Sequence, residues 1–410
     1  MSNISPYILY LIVPVIAALL CGFSIPKIIV LAKKKKLYDL PDNLRKIHKA
    51  VVPNLGGVGI FFAYIIVASL FIQSSDFPRW NYIVAASTIL FVVGIKDDII
   101  SLTPTKKFAA QILAAVITVY LADMRLHSLH GIFGIYVLPP WLSIGFSIVG
   151  CIFVTNAFNL IDGIDGLAGT ISVLCTFVLG ISLAFQGNEG AAYMAFALMG
   201  AIIGFLRYNI APARIFMGDS GSLFIGFSIS VLCILYINSY QPASIYSSFV
   251  HTPKSALIIA LSVLFIPVFD SFRVFITRIA KGKHPFSADR SHLHHYLLDL
   301  GFSHSRTVTT LITVNLLIIS VSLLVQDYNP NIAIAAILSL TFGLFGILYF
   351  MRKSRLARIE VHQKQTITVS NATYIDGKSP GYSNGKEKMK AQPQNVVLEG
   401  SLHTIATEGS

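Results

Sequence analysis

The chain has 410 residues, 54% of them hydrophobic and only 12% charged, with 31 Lys and Arg against 19 Asp and Glu for a formal net charge of +12. Its mean hydropathy is +0.70. An ordinary soluble domain carries about 25% charged residues, so the composition excludes a water-soluble globular protein and points to one that lives in lipid; no nucleic-acid partner is expected.

Apolar stretches long enough to cross a hydrocarbon core of roughly 30 Å recur along the chain. In order they fall near 7–32, 54–73, 80–95, 106–122, 141–158, 167–186, 190–206, 221–238, 256–276, 307–325 and 332–350. The first has no basic residues ahead of it and no small-residue cleavage site behind it, so it is expected to stay as a span. Cys21, Cys151, Cys175 and Cys233 all lie inside apolar runs without paired spacing and are expected to be small buried hydrophobes. The expected fold is an all-α polytopic bundle of about 11 transmembrane helices over residues 1–351. After it, 352–410 loses periodicity, as in "DGKSPGYSNGKEKMKAQPQN", and is expected to be a disordered cytoplasmic tail.

The connecting segments are of two kinds. Those after odd-numbered spans hold "KKKKLYDLPDNLRKIHKAVVPN", "KDDIISLTPTKK", "NLIDGIDG", "RYNIAPARIFMGDSG" and "RIAKGKHPFSADRSHLHHYLLDLGFSHSR". Of the 31 Lys and Arg, only Arg79, Arg125 and Lys254 fall on the other side. Because basic loops stay cytoplasmic, the N-terminus is expected outside and the C-terminus inside. The run from Lys33 to Arg45 reads as part of this topology signal and as a grip on anionic membrane lipid.

Five of the few acids, Asp97, Asp98, Asp162, Asp165 and Asp219, recur in the cytoplasmic motifs at span ends. Each alone has a plain structural reading: a solvated helix end for Asp97 and Asp98, a helix cap for Asp162. Carboxylates at membrane depth need a partner, a cation or water, and five on one face read together as a site. Carboxylates gathered this way repel one another, which calls for a divalent cation. Mg²⁺ suits carboxylate, amide and phosphate oxygens, with Mn²⁺ as the alternative, and histidines near these acids are too few for zinc. Lys49, Lys106, Lys107 and Arg290, with His292, His294 and His295, supply the positive and protic groups that phosphoryl transfer requires. Glycines at 56, 57, 163, 166, 169, 218 and 221 would let backbone amides approach an anion closely. In "FMGDSGSLFIGF", Asp219 opens a span between two of them.

Five motifs in this order, "RKIHKAVVPNLGG", "GIKDDIISLTPTKKFAAQ", "NAFNLIDGIDGLAG", "RYNIAPARIFMGDSGSLFIG" and "DRSHLHHYLLDLGFS", make the sequence resemble the polyprenyl-phosphate N-acetylhexosamine-1-phosphate transferases. That superfamily includes the WecA-type and MraY-type enzymes. The resemblance implies attack of undecaprenyl phosphate on the β-phosphorus of a UDP-N-acetylhexosamine, releasing UMP, at the cytoplasmic face of the bacterial inner membrane. It further implies that Asp97 and Asp98 orient or activate the lipid phosphate, and that Asp219 binds magnesium with Asn159 nearby. Asp162, Asp165 and His294 belong to the catalytic centre by the same resemblance. Lys49, Lys107, Gln111, Asn209, Phe216, Arg290, His292 and His295, again with Asn159, contact the substrates. The "RSHLHH" spacing is closer to the WecA-type branch than to the consecutive histidine triplet of MraY-type enzymes, which favours UDP-GlcNAc over the muramoyl-pentapeptide nucleotide. An anionic-solute transporter is the reading from a different class.

Overall fold

The computed structural model describes residues 5–37, 52–73, 77–239, 253–282 and 291–375. Lys49 and Arg290 lie outside the described residues. Among the described residues thirteen α-helices run in the order α1 (Pro6–Lys34), α2 (Gly56–Phe71), α3 (Trp80–Ile99), α4 (Pro104–Val116), α5 (Pro140–Ile161), α6 (Leu167–Phe185), α7 (Glu189–Asn209), α8 (Asp219–Asn238), α9 (Pro253–Val263), α10 (Phe265–Ala280), α11 (Leu293–Asp299), α12 (His304–Val325) and α13 (Pro330–Ile375). Proline opens α1, α4, α5, α9 and α13, where the missing N–H costs nothing and the fixed φ suits the first turn.

Every expected span is helical. By length and composition α1, α5, α6, α7, α8, α12 and α13 can each cross a membrane, α9 and α10 form one bent pair, and α2 is a shorter apolar helix. The protein is an all-α multi-pass membrane protein. Its central element is α8, which is buried along its length and packs against α2, α3, α5, α6, α7 and α9. Beside it α1 crosses α7 at Gly200 and Gly204, where an added Cβ on Gly200 would sit 2.6 Å from Pro14 Cα; small residues four apart let two membrane helices close up in this way. The four cysteines are free and buried.

Three features depart from the hydropathy reading. The expected span 256–276 is broken at Leu264, with α9 and α10 meeting at 73°. Pro267 cannot donate to Val263 O, and Asn315 on α12 takes up the groups this leaves: its Nδ2 donates to Val263 O at 3.2 Å and its Oδ1 accepts from Ile266 N at 3.3 Å. Between α4 and α5 lies an antiparallel hairpin, β1 (Ser128–Ile132) and β2 (Ile135–Val137), turned at Phe133 and Gly134, which both have positive φ. Finally, α13 passes the expected boundary at 352 and continues to Ile375. The stretch between Gly346 and Gly377 holds neither glycine nor proline, so helix propensity persists after the apolar pattern ends. By contacts, the described residues up to Arg352 form the bundle unit, and α13 beyond Arg352 belongs to a second unit.

Candidate active site

The ends of α3 and α5 and the starts of α4 and α8 meet at one end of the bundle. At its centre is the first turn of α8, whose free N–H groups need acceptors. Asp98 supplies them: its Oδ1 accepts from Asp219 N at 2.7 Å and its Oδ2 from Ser220 N at 3.0 Å. Gly218, at φ 73°, makes the turn into α8, and a Cβ there would lie 2.6 Å from Asp98 Oδ2. Asp98 is therefore a capping carboxylate, with both oxygens spent on backbone.

Its neighbour Asp97 points elsewhere, since adjacent residues on a helix lie about 100° apart. One oxygen accepts from Leu102 N at 2.7 Å and the other pairs with Lys107 Nζ at 2.6 Å. The same ammonium pairs with Asp219 Oδ2 at 2.6 Å. Asn159 Nδ2 donates to Asp219 Oδ1 at 2.9 Å and to Ser222 Oγ at 2.8 Å. Asp97, Lys107, Asp219 and Asn159, from four helices, thus form one connected polar chain. A turn below, Gln111 and Asn156 exchange side-chain amide hydrogen bonds of 3.2 and 2.7 Å, joining α4 to α5.

The loop of Asp162 to Gly166 divides its two acids in the same manner. Asp165 is buried, accepts from Ala213 N at 3.0 Å and lies 3.5 Å from His304 Nδ1. Asn209 accepts from Gly166 N at 3.0 Å and donates to Ile215 O at 2.9 Å. Asp165 and Asn209 therefore tie this loop to the one that carries Phe216, whose backbone in turn pairs with Pro53 and Gly56. Asp162 alone among the five acids has a carboxylate with no hydrogen-bonding or ionic partner among the described residues. Burial, and then the fields of Asp219, Asp98 and Asp165, hold its carboxyl well above the usual carboxylate range.

The histidine motif reaches the same region from α10. Asp270 Oδ2 faces His292 Nδ1 at 3.0 Å, while its Oδ1 accepts from Leu293 N at 3.0 Å and from Arg273 Nη2 at 2.8 Å. His294 is 2% exposed and lies between its neighbours, with ring centroids 5.7 Å from His292 and 4.2 Å from His295. Burial, followed by the field of His295, pushes its imidazole down to about 3. Residues 162–163 run directly beneath it: a Cβ on Gly163 would lie 2.7 Å from His294 Nε2. Gly163→Ala is expected to displace the imidazole and lower turnover about tenfold, with little effect on thermal stability; steady-state kinetics and a melting curve of purified protein check both.

A cleft of about 530 Å³ joins Asn159 and Asp162 to the three histidines. Phe108, Val149, Ile152, Phe153, Leu160 and Phe275 form an apolar wall; Asn159, Asp162, Arg278 and the three histidines line its polar part. Val149 is 65% exposed and Phe108 43%, so the apolar wall reaches the lipid-facing surface. Asp270, Arg273 and Arg278 are not among the residues expected at the site: Asp270 and Arg273 fall inside the expected span 256–276, and Arg278 reads as the first basic residue of the loop after it. The available signal is an Asp and an Arg inside an apolar segment.

A multi-pass helical bundle whose helix ends converge on linked carboxylates, a lysine and histidines, next to a cleft open toward lipid, defines an integral-membrane enzyme. The model of glycosyl transferase family 4 matches residues 80–237, from α3 to the end of α8. The chain is 33% identical over 304 residues to a probable undecaprenyl-phosphate N-acetylglucosaminyl 1-phosphate transferase of Bacillus subtilis, covering 73% of this chain and 80% of that protein. It is 30% identical over 312 residues to the decaprenyl-phosphate N-acetylglucosaminephosphotransferase of Mycobacterium leprae, covering 71% and 77%. It is 29% identical over 326 residues to the undecaprenyl-phosphate alpha-N-acetylglucosaminyl 1-phosphate transferase of Escherichia coli K12, covering 77% and 84%. The chain belongs to glycosyl transferase family 4.

Proposed function

We propose that the protein transfers N-acetylglucosamine-1-phosphate from UDP-GlcNAc to undecaprenyl phosphate and releases UMP, at the cytoplasmic face of a bacterial inner membrane. An oxygen of the lipid phosphate attacks the β-phosphorus of the donor; the bond from that phosphorus to the bridging oxygen breaks, and UMP leaves. The observation that carries this reading is the linked chain of Asp97, Lys107, Asp219 and Asn159 beside a cleft with one apolar and one polar wall. A polyprenyl phosphate has that same division, a long apolar tail ending in a dianion. The relatives' names supply the sugar.

The chemistry requires positioning and charge more than proton removal. A phosphate monoester with a second pKa of about 6 is already largely dianionic at pH 7. Asp97, held by Lys107 and the Leu102 amide, therefore orients rather than deprotonates, and Lys107 offers positive charge to the phosphates. Arg278 in the polar wall adds a second cation. The donor chemistry suits Mg²⁺. Asp162 lines the cleft, and its carboxylate has no hydrogen-bonding partner among the described residues, which leaves both oxygens available to a cation. Among the described residues no three His, Cys, Asp or Glu stand at ligand spacing; Mg²⁺ commonly keeps waters and substrate phosphates and needs only one or two carboxylates. Asp219 and Asn159, with Asp162, would hold it, and when bound it would neutralise the diphosphate.

The cytoplasmic orientation rests on the basic residues at this end, among them Lys96, Lys106, Arg207 and Lys281. Transport is disfavoured, because central α8 has no Asp, Glu, Lys or Arg after Asp219. Purified protein given undecaprenyl phosphate and Mg²⁺ is expected to release UMP with UDP-GlcNAc faster than with UDP-GalNAc or UDP-MurNAc-pentapeptide. Faster release with the pentapeptide nucleotide would move the protein to peptidoglycan synthesis.

A further inference from the structure

Asp270 belongs to no motif of the sequence-derived site, yet it is 1% exposed and three groups converge on it. Oδ1 takes the Leu293 amide and Arg273, and Oδ2 takes His292. Arg273 is itself clamped: its guanidinium also donates to Ser291 O and lies 4.7 Å from the centre of the Phe345 ring and 5.3 Å from that of Tyr296. On Tyr296 the guanidinium of Arg352 sits 4.0 Å from the ring centre, paired with Asp299 at 2.8 Å. Two arginines and an aromatic layer therefore hold α10, α11 and α13 together around this carboxylate. With Arg273 as its counterion Asp270 is an anion, and the hydrogen shared with His292 sits on Nδ1. The ring's other nitrogen, Nε2, is then left for the cleft, which His292 lines. A carboxylate that fixes an imidazole's tautomer in this way is the arrangement by which a histidine is prepared to act on a substrate.

We propose that Asp270 is a positioning residue for the phosphosugar transfer: paired with Arg273, it holds His292 through Nδ1 so that Nε2 contacts the transferring diphosphate. This rests on the transferase reading above. It also divides the histidines by role, since His294 packs over Gly163, whereas His292 has the Asp270 carboxylate behind it. The competing account is a purely structural anchor, in which Asp270 only caps α11 and His292 is filler.

Kinetics on the full-length, detergent-solubilised chain separates the two. Asp270→Asn keeps the size and can keep the Leu293 contact, but its amide can face Nδ1 with a donor and reverse the tautomer. Its kcat is expected to fall about 100-fold, with KM for UDP-GlcNAc within about threefold of wild type. His292→Asn keeps an amide donor in the place of Nδ1 and lacks Nε2, and is expected to lose kcat to a similar extent. Combining the two is expected to cost no more than about threefold beyond His292→Asn alone, because both act through one nitrogen. Near-wild-type kcat in either single variant, or multiplicative losses in the double, would overturn the proposal in favour of the anchor. Should Asp270→Asn fail to survive purification, His292→Asn decides alone, since retained activity without Nε2 is incompatible with the proposed contact. Wild-type protein that releases no UMP would instead remove the transferase reading, and this inference with it.

Discussion

Asp219→Asn is expected to lower turnover by about 10³-fold while the protein still inserts and purifies as a folded species. Asp219 opens α8 with one oxygen on Lys107 and the other on Asn159, so it joins the α4 and α5 sides of the polar chain. Asparagine preserves the volume and can still accept from one of them. What it removes is the negative charge, leaving Lys107 with Asp97 alone and any bound cation with one carboxylate fewer. Loss of a single aligned electrostatic group at a transferring centre costs about 10² to 10³ in rate, and here two functions are lost together. UMP release measured against the amount of folded enzyme tests this, and activity near that of wild type would show that Asp219 is only part of the helix start.

Gly57→Ala has the second large expected effect, and it acts through packing. A Cβ at Gly57 would meet the Gly221 amide nitrogen and lie 2.5 Å from Ser220 C; one on Gly94 would lie 2.5 Å from Ser220 Cα. The first turn of α8 is thus held between α2 and α3 by backbone on backbone, and backbone cannot turn aside as a flexible side chain can. Overpacking of this kind costs about 3 kcal/mol, and here it also displaces the turn that carries Asp219. Gly57→Ala is expected to lower both the thermal midpoint and turnover. Gly150→Ala on α5, which meets nothing within 4 Å, is the matched control and is expected to change neither. Equal behaviour of the two variants would mean that the helices are not closely seated there.

Hydropathy located the helices, because a helix crossing lipid must be long and apolar whatever its neighbours. Of the eleven expected spans, however, only seven, or eight with the bent pair, are long and apolar enough among the described residues. The same averaging hid the break at Leu264 and left Asp270 and Arg273 inside what read as a span. The hairpin escaped because "SLHGIFGIYV" is as apolar as the helices around it and only its turn at Gly134 distinguishes it. Within the site, sequence located the acids but could not divide their labour. Asp97 and Asp98 are indistinguishable as letters, yet one joins the polar chain and the other caps α8, a difference set by which face of α3 each occupies. Asp165 and Asn209, which resemble active-site groups by motif, also hold two loops together. Several glycines read as approaches to an anion serve closer neighbours instead: Gly57 and Gly221 admit a helix, and Gly163 admits a histidine.

The most direct measurement follows the β-phosphorus. With UDP-GlcNAc labelled at that atom and undecaprenyl phosphate as acceptor, transfer of the sugar-phosphate places the label in the lipid fraction and leaves unlabelled UMP in water. Label recovered as UDP, with the sugar alone on the lipid, would contradict the account, as would label reaching lipid at the same rate with Asp219→Asn protein.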